Sequence, residues 1–538
     1  MRPAHPQPTH LEPMLSPPPA KPLGWLACVV FLLISPSLAG ELRVGTAAVK
    51  INPPLGTPMA GYYHARGSQG VLDDLYAKAA VLDDGQTKVA FVVCDLISLP
   101  RGTVLESRRL IEEKTRIPGG HVMISATHTH TGPALARESS RDDMDGGSSK
   151  PAKTYTGQLP THIAQAVAEA HARLAPARAA YARESEHRLA FCRRFWMKDG
   201  TVGWNPGKLN PNTIRPVGPI DPEVGVVYFD TADQKPLLTY VNFAMHSDTT
   251  GGQLTSADYP GALARRLAEC KGPEMLTLFA NGTCGNLNHI NVQWADRQHG
   301  PDEANRLGTI LAAAVMKAYM DLKPAVDTTL RVRSEVLQLP LPKVTDEELR
   351  VAREIAGQGS KAKFMDQVQS YKALDVAARQ GKPLEVEVQV VSLGKDLAWV
   401  STPGEVFVEI GLSIKAASPF RQTHVVELAN GSVGYIPHRS AYAEGNYEVV
   451  SARCAEGSGE MLVTAAVRML AELYQQAGLT PLRQSRSPSP SGRRGDTRSG
   501  RSGDPSRRSS PSTPSVSQCS CCIRARATPE RCGTRDQC

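Results

Sequence analysis

Between residues 41 and 482 the chain alternates short β-rich apolar runs with stretches of helical spacing, and neither a linker nor a repeat interrupts the pattern. Apolar faces of both periods must be buried, and the simplest solution is mixed sheets covered by helices. Ala77 to Ile97 (AKAAVLDDGQTKVAFVVCDLI) is two β-rich runs around an Asp-Gly turn and reads as a hairpin. Thr103 to Ile117 has helical spacing, with Thr103 and Glu106 placed as a capping box, and the strand HVMISAT follows. Further strands are expected at Val224–Asp230, Leu237–Ala244, Met275–Phe279, Leu384–Leu393, Ala398–Ser401 and His424–Leu428. Helices are expected at His162–Leu174, Gly261–Cys270, Glu303–Leu322, Asp346–Ile355 and Met461–Ala477. The predicted fold class is α/β, mixed β-sheets flanked by helices in a single large domain, although the span has room for two.

The two ends differ from this body. Trp25 to Ile34 (WLACVVFLLI) is an apolar block too short to span a bilayer, with Lys21 before it and the small-residue exit SLAG behind. Residues 1–39 are therefore expected to be a signal peptide, and the protein to be exported, periplasmic or secreted. Residues 483–538 are Arg, Ser, Pro and Gly with almost nothing that could pack, and are expected to be disordered. They hold 12 Arg against 4 acidic residues, so the tail alone accounts for the formal charge of +8. The composition fits either a polyanion-binding extension or an out-of-frame end of a GC-rich gene. The near-neutral body argues against nucleic acid as a partner. Of 11 Cys only Cys94, Cys192, Cys270, Cys284 and Cys454 fall in the body, with no C-x-x-C pair, so a metal would need N and O ligands.

Ligand and catalytic groups of α/β proteins collect beyond the carboxyl ends of strands. After HVMISAT come His128 and His130; after LLTYVNFA comes His246; after MLTLF comes the turn ANGTCGNLNH. After LAWVS comes TPGE with Glu405, and after HVVEL comes ANGSVGY with Tyr435. Residues i and i+2 of a strand face one side, so His128 and His130 can share a pocket. Two imidazoles with a carboxylate suit zinc with a position left open. The plainer reading is a pair of histidines closing a strand by hydrogen bonds to the backbone. Asp95 is expected either to steady a ligand histidine or to cap a turn, Asp258 to cap the helix near Gly261, His289 to be a satisfied loop residue, and His64 to lie at the pocket mouth.

The segments INPPLGTPMAGY (Ile51 to Tyr62), ISATHTHTGP (Ile124 to Pro133), YVNFAMHS (Tyr240 to Ser247), STPGE (Ser401 to Glu405) and NGSVGYIPHRSAYAEGNYE (Asn430 to Glu448) resemble, in that order, the catalytic domain of neutral ceramidase. The likeness covers about residues 45 to 475, and residues 41–482 are read as that domain. The resemblance implies zinc on His128, His246, Glu405 and Tyr435. It implies catalytic roles for His130 and Tyr447, and for Arg193, with Arg194 adjacent. Two positions depart from the family pattern: its catalytic or substrate-positioning serine is Asn288 here, and its aspartate is Asn286. Asn288 is left with orienting a substrate group by hydrogen bonding. The immunoglobulin-like domain that follows the catalytic domain in full-length ceramidases is not expected after Ala477, where the sequence passes almost directly into the Arg-, Ser- and Pro-rich tail.

The expected activity is zinc-dependent hydrolysis of the amide bond of ceramide or a related N-acyl compound by metal-activated water. His130 is expected to move protons, and Tyr447 and Arg193 to donate hydrogen bonds to the developing oxyanion. The expected partner is a lipid or a small N-acyl amide, with peripheral membrane contact allowed. The alternative is a noncatalytic descendant that binds a ligand or wall component in the same pocket.

Overall fold

The computed structural model describes residues 41–478 apart from Glu138 and the side chain of Ser360. The expected signal peptide at 1–39 and tail at 483–538 lie outside the described residues. Two sheets stack face to face with helices on both outer sides, giving an α/β/β/α order of layers. The larger sheet runs Leu276–Asn281, Pro236–Phe243, Glu223–Thr231, Ala175–Ser185, Arg43–Lys50, Tyr76–Asp83, Lys88–Cys94, Val122–Ala126, with Lys323–Pro324 beside Ala175–Ser185. The smaller runs Leu330–Leu339, Leu384–Leu393, Leu397–Ser401, Gln422–Val426.

The layers follow from where each face finds apolar company. Between the sheets Phe91, Tyr240, Leu278, Val391 and Trp399 are buried together, and the Trp399 ring lies 4.9 Å from Phe91 and 6.0 Å from Tyr240, centroid to centroid. Helices Arg101–Thr115 and Lys150–Ala172 cover one half of the larger sheet through Val104, Ile111, Leu159 and Ile163. Helices Asp258–Lys271 and Pro301–Ala318 cover the other through Leu263, Leu307 and Leu311. Val408–Ala417 and Ser458–Gln476 seal the smaller sheet through Ile410, Ile414, Leu462 and Leu470.

Most pairings are antiparallel, including the expected hairpin, whose strands Tyr76–Asp83 and Lys88–Cys94 pair from Ala77↔Cys94 to Asp83↔Lys88. Within the two large sheets three pairs are parallel: Lys88–Cys94 with Val122–Ala126, Pro236–Phe243 with Leu276–Asn281, and Leu397–Ser401 with Gln422–Val426. A parallel pair needs a long crossover, and here each carries one helix: Arg101–Thr115, Asp258–Lys271 and Val408–Ala417 respectively.

Several expectations change. Thr103 and Glu106 form no capping box, because the helix already begins at Arg101; Thr103 lies inside it, and Glu106 pairs with Arg109. The capping box present is Thr345 with Glu348 at the head of Asp346–Gln358. The helix expected from His162 starts at Lys150, capped by Ser149, and runs through Pro160, which disfavours helix interiors and masks the continuity. Strand Ala175–Ser185 (APARAAYARES) and helix Phe364–Ala378 were not foreseen.

His424, midway along the edge strand Gln422–Val426 of the smaller sheet, is fully buried, stacked on Trp399 and edge-on to Tyr240. Burial, with Lys415 adding to it, pushes its pKa from 6.5 down to about 3; Lys415 itself is held by Asp221 and Glu223. The folded imidazole stays neutral while the unfolded one protonates, so its contribution to stability is present above pH 6.5 and is lost as the pH falls toward 3. The full loss is on the order of 5 kcal/mol. His424→Gln should flatten the fall in unfolding free energy between about pH 6 and pH 4, measured by urea titration; an unchanged slope would refute this assignment.

Candidate metal centre

The three parallel pairs point their carboxyl ends at one place. Beyond Val122–Ala126 the chain turns at His128, which has φ +67°, a left-handed conformation unusual for a residue with a Cβ. Its backbone N–H donates to Leu96 O at 2.9 Å, and its Nδ1 lies 2.8 Å from Ile97 O. Strand alternation therefore does not bring His128 and His130 together, as the sequence reading supposed. A turn does, and it sets the two rings edge to face with centroids 4.8 Å apart. His246 follows Pro236–Phe243, its Nδ1 2.9 Å from Cys284 O. The two loops are tied, Ser247 Oγ donating to Thr127 O at 2.8 Å and His130 N to Ser247 O at 3.1 Å.

Glu405 and Tyr435 are far apart in sequence yet are direct register partners in the short parallel ladder Glu405–Val406 with Tyr435–Ile436. Glu405 Oε2 lies 3.5 Å from His128 Nε2 and 3.3 Å from His246 Nε2. For ligands about 2.0–2.1 Å from a zinc ion the edge of a tetrahedron is about 3.3 Å, so these separations fit donors of one ion. The backbone carbonyls at Nδ1 of both histidines fix the proton there and leave Nε2 as the lone pair facing inward. His130 Nε2 is 3.3 Å from His128 Nε2, so a set of three imidazoles converges. His130 differs in its other nitrogen, which has no carbonyl partner and stands 3.6 Å from Asp248 Oδ1.

The electrostatics favour the ligand-ready state at Glu405, His246 and His130 but not at His128. Burial pushes the Glu405 carboxyl up, but His128 and His246 outweigh it and hold it well below the usual carboxylate range. Burial, with Arg193 and His128 adding to it, pushes His246 well below the ordinary imidazole value, and burial beside His128 does the same for His130. For His128 burial is overcome by Glu405, which raises it.

Arg193 closes the site from the strand side. Its guanidinium lies 3.2 Å from His246 Nε2 and donates to Tyr435 Oη at 3.1 Å and to Gly285 O at 2.6 Å. Its Nε meets Glu448 at 2.8 Å. Arg194 binds the other oxygen of Glu448 at 3.0 Å but turns away, to Glu444 and Gly445 O. Tyr447 stands beside Tyr435, ring centroids 5.5 Å apart, in a row with Trp204 and Phe364.

Asn288 does not reach this cluster by any hydrogen bond. Its amide donates to Asn205 Oδ1 at 2.9 Å and accepts from Ile290 N at 3.1 Å. One N–H and one lone pair of the amide are left over from these bonds. Asn286 binds Glu409 and accepts from Val408 N, fastening the turn to the head of helix Val408–Ala417. Asp95 accepts from Tyr76 N and faces Lys78, holding the sheet rather than a histidine. Asp258 lies inside its helix and binds Thr249 N and Thr250 N instead of capping from Gly261. His289 meets Gln298 O at 2.7 Å, and His64 is exposed, stacked on Tyr62.

The sequence reading missed four contributors. Asp248, two residues past His246, faces His130 and accepts from Tyr62 Oη at 2.7 Å. Glu448, next to Tyr447, is the fully buried bridge between the two arginines. Asn430 donates its N–H to Ile124 O and accepts from Ile124 N, binding the Tyr435 loop to the histidine strand. Gly61 is required because a Cβ there would stand 2.7 Å from the His130 ring. The second glycine run of INPPLGTPMAGY and the acidic residue after M-H-S were visible, but nothing in their spacing told which atoms they would meet.

Among the described residues no helix is long and apolar enough to cross a membrane. No protein-family model matches the chain, and no curated protein matches it by sequence. Among solved structures, neutral ceramidase from Pseudomonas aeruginosa aligns with a TM-score of 0.64 at 19% identity, over 83% of this chain and 76% of that one. A ceramidase complexed with C2 aligns with a TM-score of 0.63 at 18% identity, over 84% and 78%. The α/β/β/α body with its histidine-lined centre is thus the neutral-ceramidase fold.

Proposed function

We propose that the chain is an exported zinc-dependent hydrolase of the amide bond in N-acyl compounds. The observation that carries this reading is the Glu405 carboxylate standing about one tetrahedral edge from Nε2 of both His128 and His246, with both imidazole tautomers fixed by backbone carbonyls. Tyr435, the register partner of Glu405, is the fourth group of the proposed set. Zinc held by these groups supplies Lewis acidity, polarising an amide carbonyl and making water a stronger acid.

The rest is done by the chain itself. His130 touches His128 but keeps Nδ1 toward Asp248; a neutral imidazole with a carboxylate behind it can take a proton from water and return it to the leaving amine. Arg193, oriented by Glu448 and Gly285 O, sets hydrogen-bond donors where negative charge develops on the amide oxygen, with the Tyr447 phenol as the second proposed donor. Asn288 is assigned to the loop that supports Arg193, since Arg193 N donates to Asn286 O and Asn205 N to Arg193 O. Export rests on the apolar block at Trp25 to Ile34.

His128→Ala, His246→Ala and Glu405→Gln should each lower bound zinc from about one ion per chain toward zero by elemental analysis. His130→Ala should keep its zinc, and a His130 variant that loses it would make His130 a ligand instead of the proton carrier. The same His130→Ala protein should hydrolyse N-acyl amides about 10²–10⁴-fold more slowly than the parent in a fluorogenic release assay, and chelation should abolish the parent's turnover. Stoichiometric zinc with no turnover on any N-acyl amide would instead establish the noncatalytic binder.

A further inference from the structure

The centre forms the floor of a cavity of about 870 Å³, with His128, Glu405, Tyr435 and Tyr447 at its base. Its walls carry charge among their apolar groups. Six cationic side chains line it, Arg101, Arg137, Arg141, Arg379, Lys382 and Arg453, against three acidic ones, Asp375, Glu385 and Glu405. Five serines and Gln380 also face it, interspersed with apolar residues such as Ile97, Leu99, Leu384 and Val433.

Four of the cations are spoken for. Arg101 pairs with Glu385 at 3.1 Å and Arg453 with Asp375. Arg137 reaches Asp142 and Asp145, and Arg141 reaches Asp145 at 3.3 Å while its guanidinium covers the Tyr63 ring at 4.6 Å. The two others have no such partner. Arg379 donates to the carbonyls of Lys382 and Pro383 at 3.1 and 2.7 Å, and among the described residues neither Arg379 nor Lys382 lies within ion-pair distance of a carboxylate.

The position of these two cations is fixed by the fold. They close helix Phe364–Ala378, the second helix of an excursion inserted between the paired strands Leu330–Leu339 and Leu384–Leu393. That helix is fastened over the centre at both ends. Phe364 packs on Tyr447, Trp204 and Tyr63, while Asp375 binds Arg453, Ser139 Oγ and Ser140 N. A roof so held presents two uncompensated positive charges to whatever occupies the cavity. Filling this space with alkyl chains would strip water from charged and hydroxyl groups without replacing their hydrogen bonds, whereas an anionic ligand would gain charge-assisted bonds.

We propose that the cavity takes a polar N-acyl amide bearing an anionic group, a carboxylate in the simplest case, and not a neutral two-chain lipid. This rests on the hydrolase reading for the amide, but the anion preference can be measured without turnover. The zinc-loaded protein is titrated calorimetrically with an N-acyl amino acid and with its neutral methyl ester, in the parent and in His130→Ala, and both compounds and a short-chain ceramide are assayed for hydrolysis. The acid should bind at least about tenfold more tightly than the ester, the discrimination that 1.4 kcal/mol supplies, and the ratio should fall toward one in Arg379→Gln/Lys382→Gln. Equal affinity, or preference for the ester or for ceramide, overturns the inference whether or not the amide is cleaved. Preferential binding of the acid with no hydrolysis of any compound supports it and refutes the hydrolase reading alone.

Discussion

A carboxylate placed in the interior must be met by positive charge, and this molecule is organised around doing so. From Glu405 the line runs through His128 and His246 to Arg193, then to the fully buried Glu448, to Arg194 and out to Glu444. From Arg193 outward the signs alternate, through Glu448 and Arg194 to Glu444, so each of these groups is desolvated next to its counterion. Such a line adds little net stability compared with apolar packing, but taking out one member strands a charge at a cost of about 3–5 kcal/mol. Strands from both sheets and loops from widely separated segments must therefore arrive together.

The route by which they arrive was partly legible. Strand cores such as Leu384–Leu393 and the Asp-Gly hairpin declare themselves through β-branched runs and a turn whose chemistry is local. Histidines just past strand ends mark where a site in an α/β protein belongs, and the resemblance to neutral ceramidase ordered them into one set. What the sequence could not display is pairing across distance. Glu405 meets Tyr435 because two dipeptides form a ladder, and His128 meets His130 because one residue adopts φ +67°. Neither follows from composition or period. Ala175–Ser185 escaped for a related reason: its alanines carry no strand signal of their own, and the strand exists because Glu223–Thr231 supplies nine partners for it.

Fold and binding space are separable here. The structural likeness to neutral ceramidase extends over 83% of the chain at 19% identity; the lining of the cavity comes largely from turns and from one helical excursion. A shared scaffold fixes where chemistry can occur, and the walls above it decide upon what. The Asn286 and Asn288 side chains illustrate the division, since both amides serve the turn that steadies Arg193.

The excursion leaves the smaller sheet at Leu339 and re-enters at Leu384, and these two residues are themselves register partners. The stem is thus already shut at its base before the two helices begin. Whatever is grafted onto it, longer, shorter or differently charged, need not disturb a single rung of the ladder below. Selectivity in such an architecture can be rewritten by exchanging one interchangeable cap, leaving the reacting groups untouched.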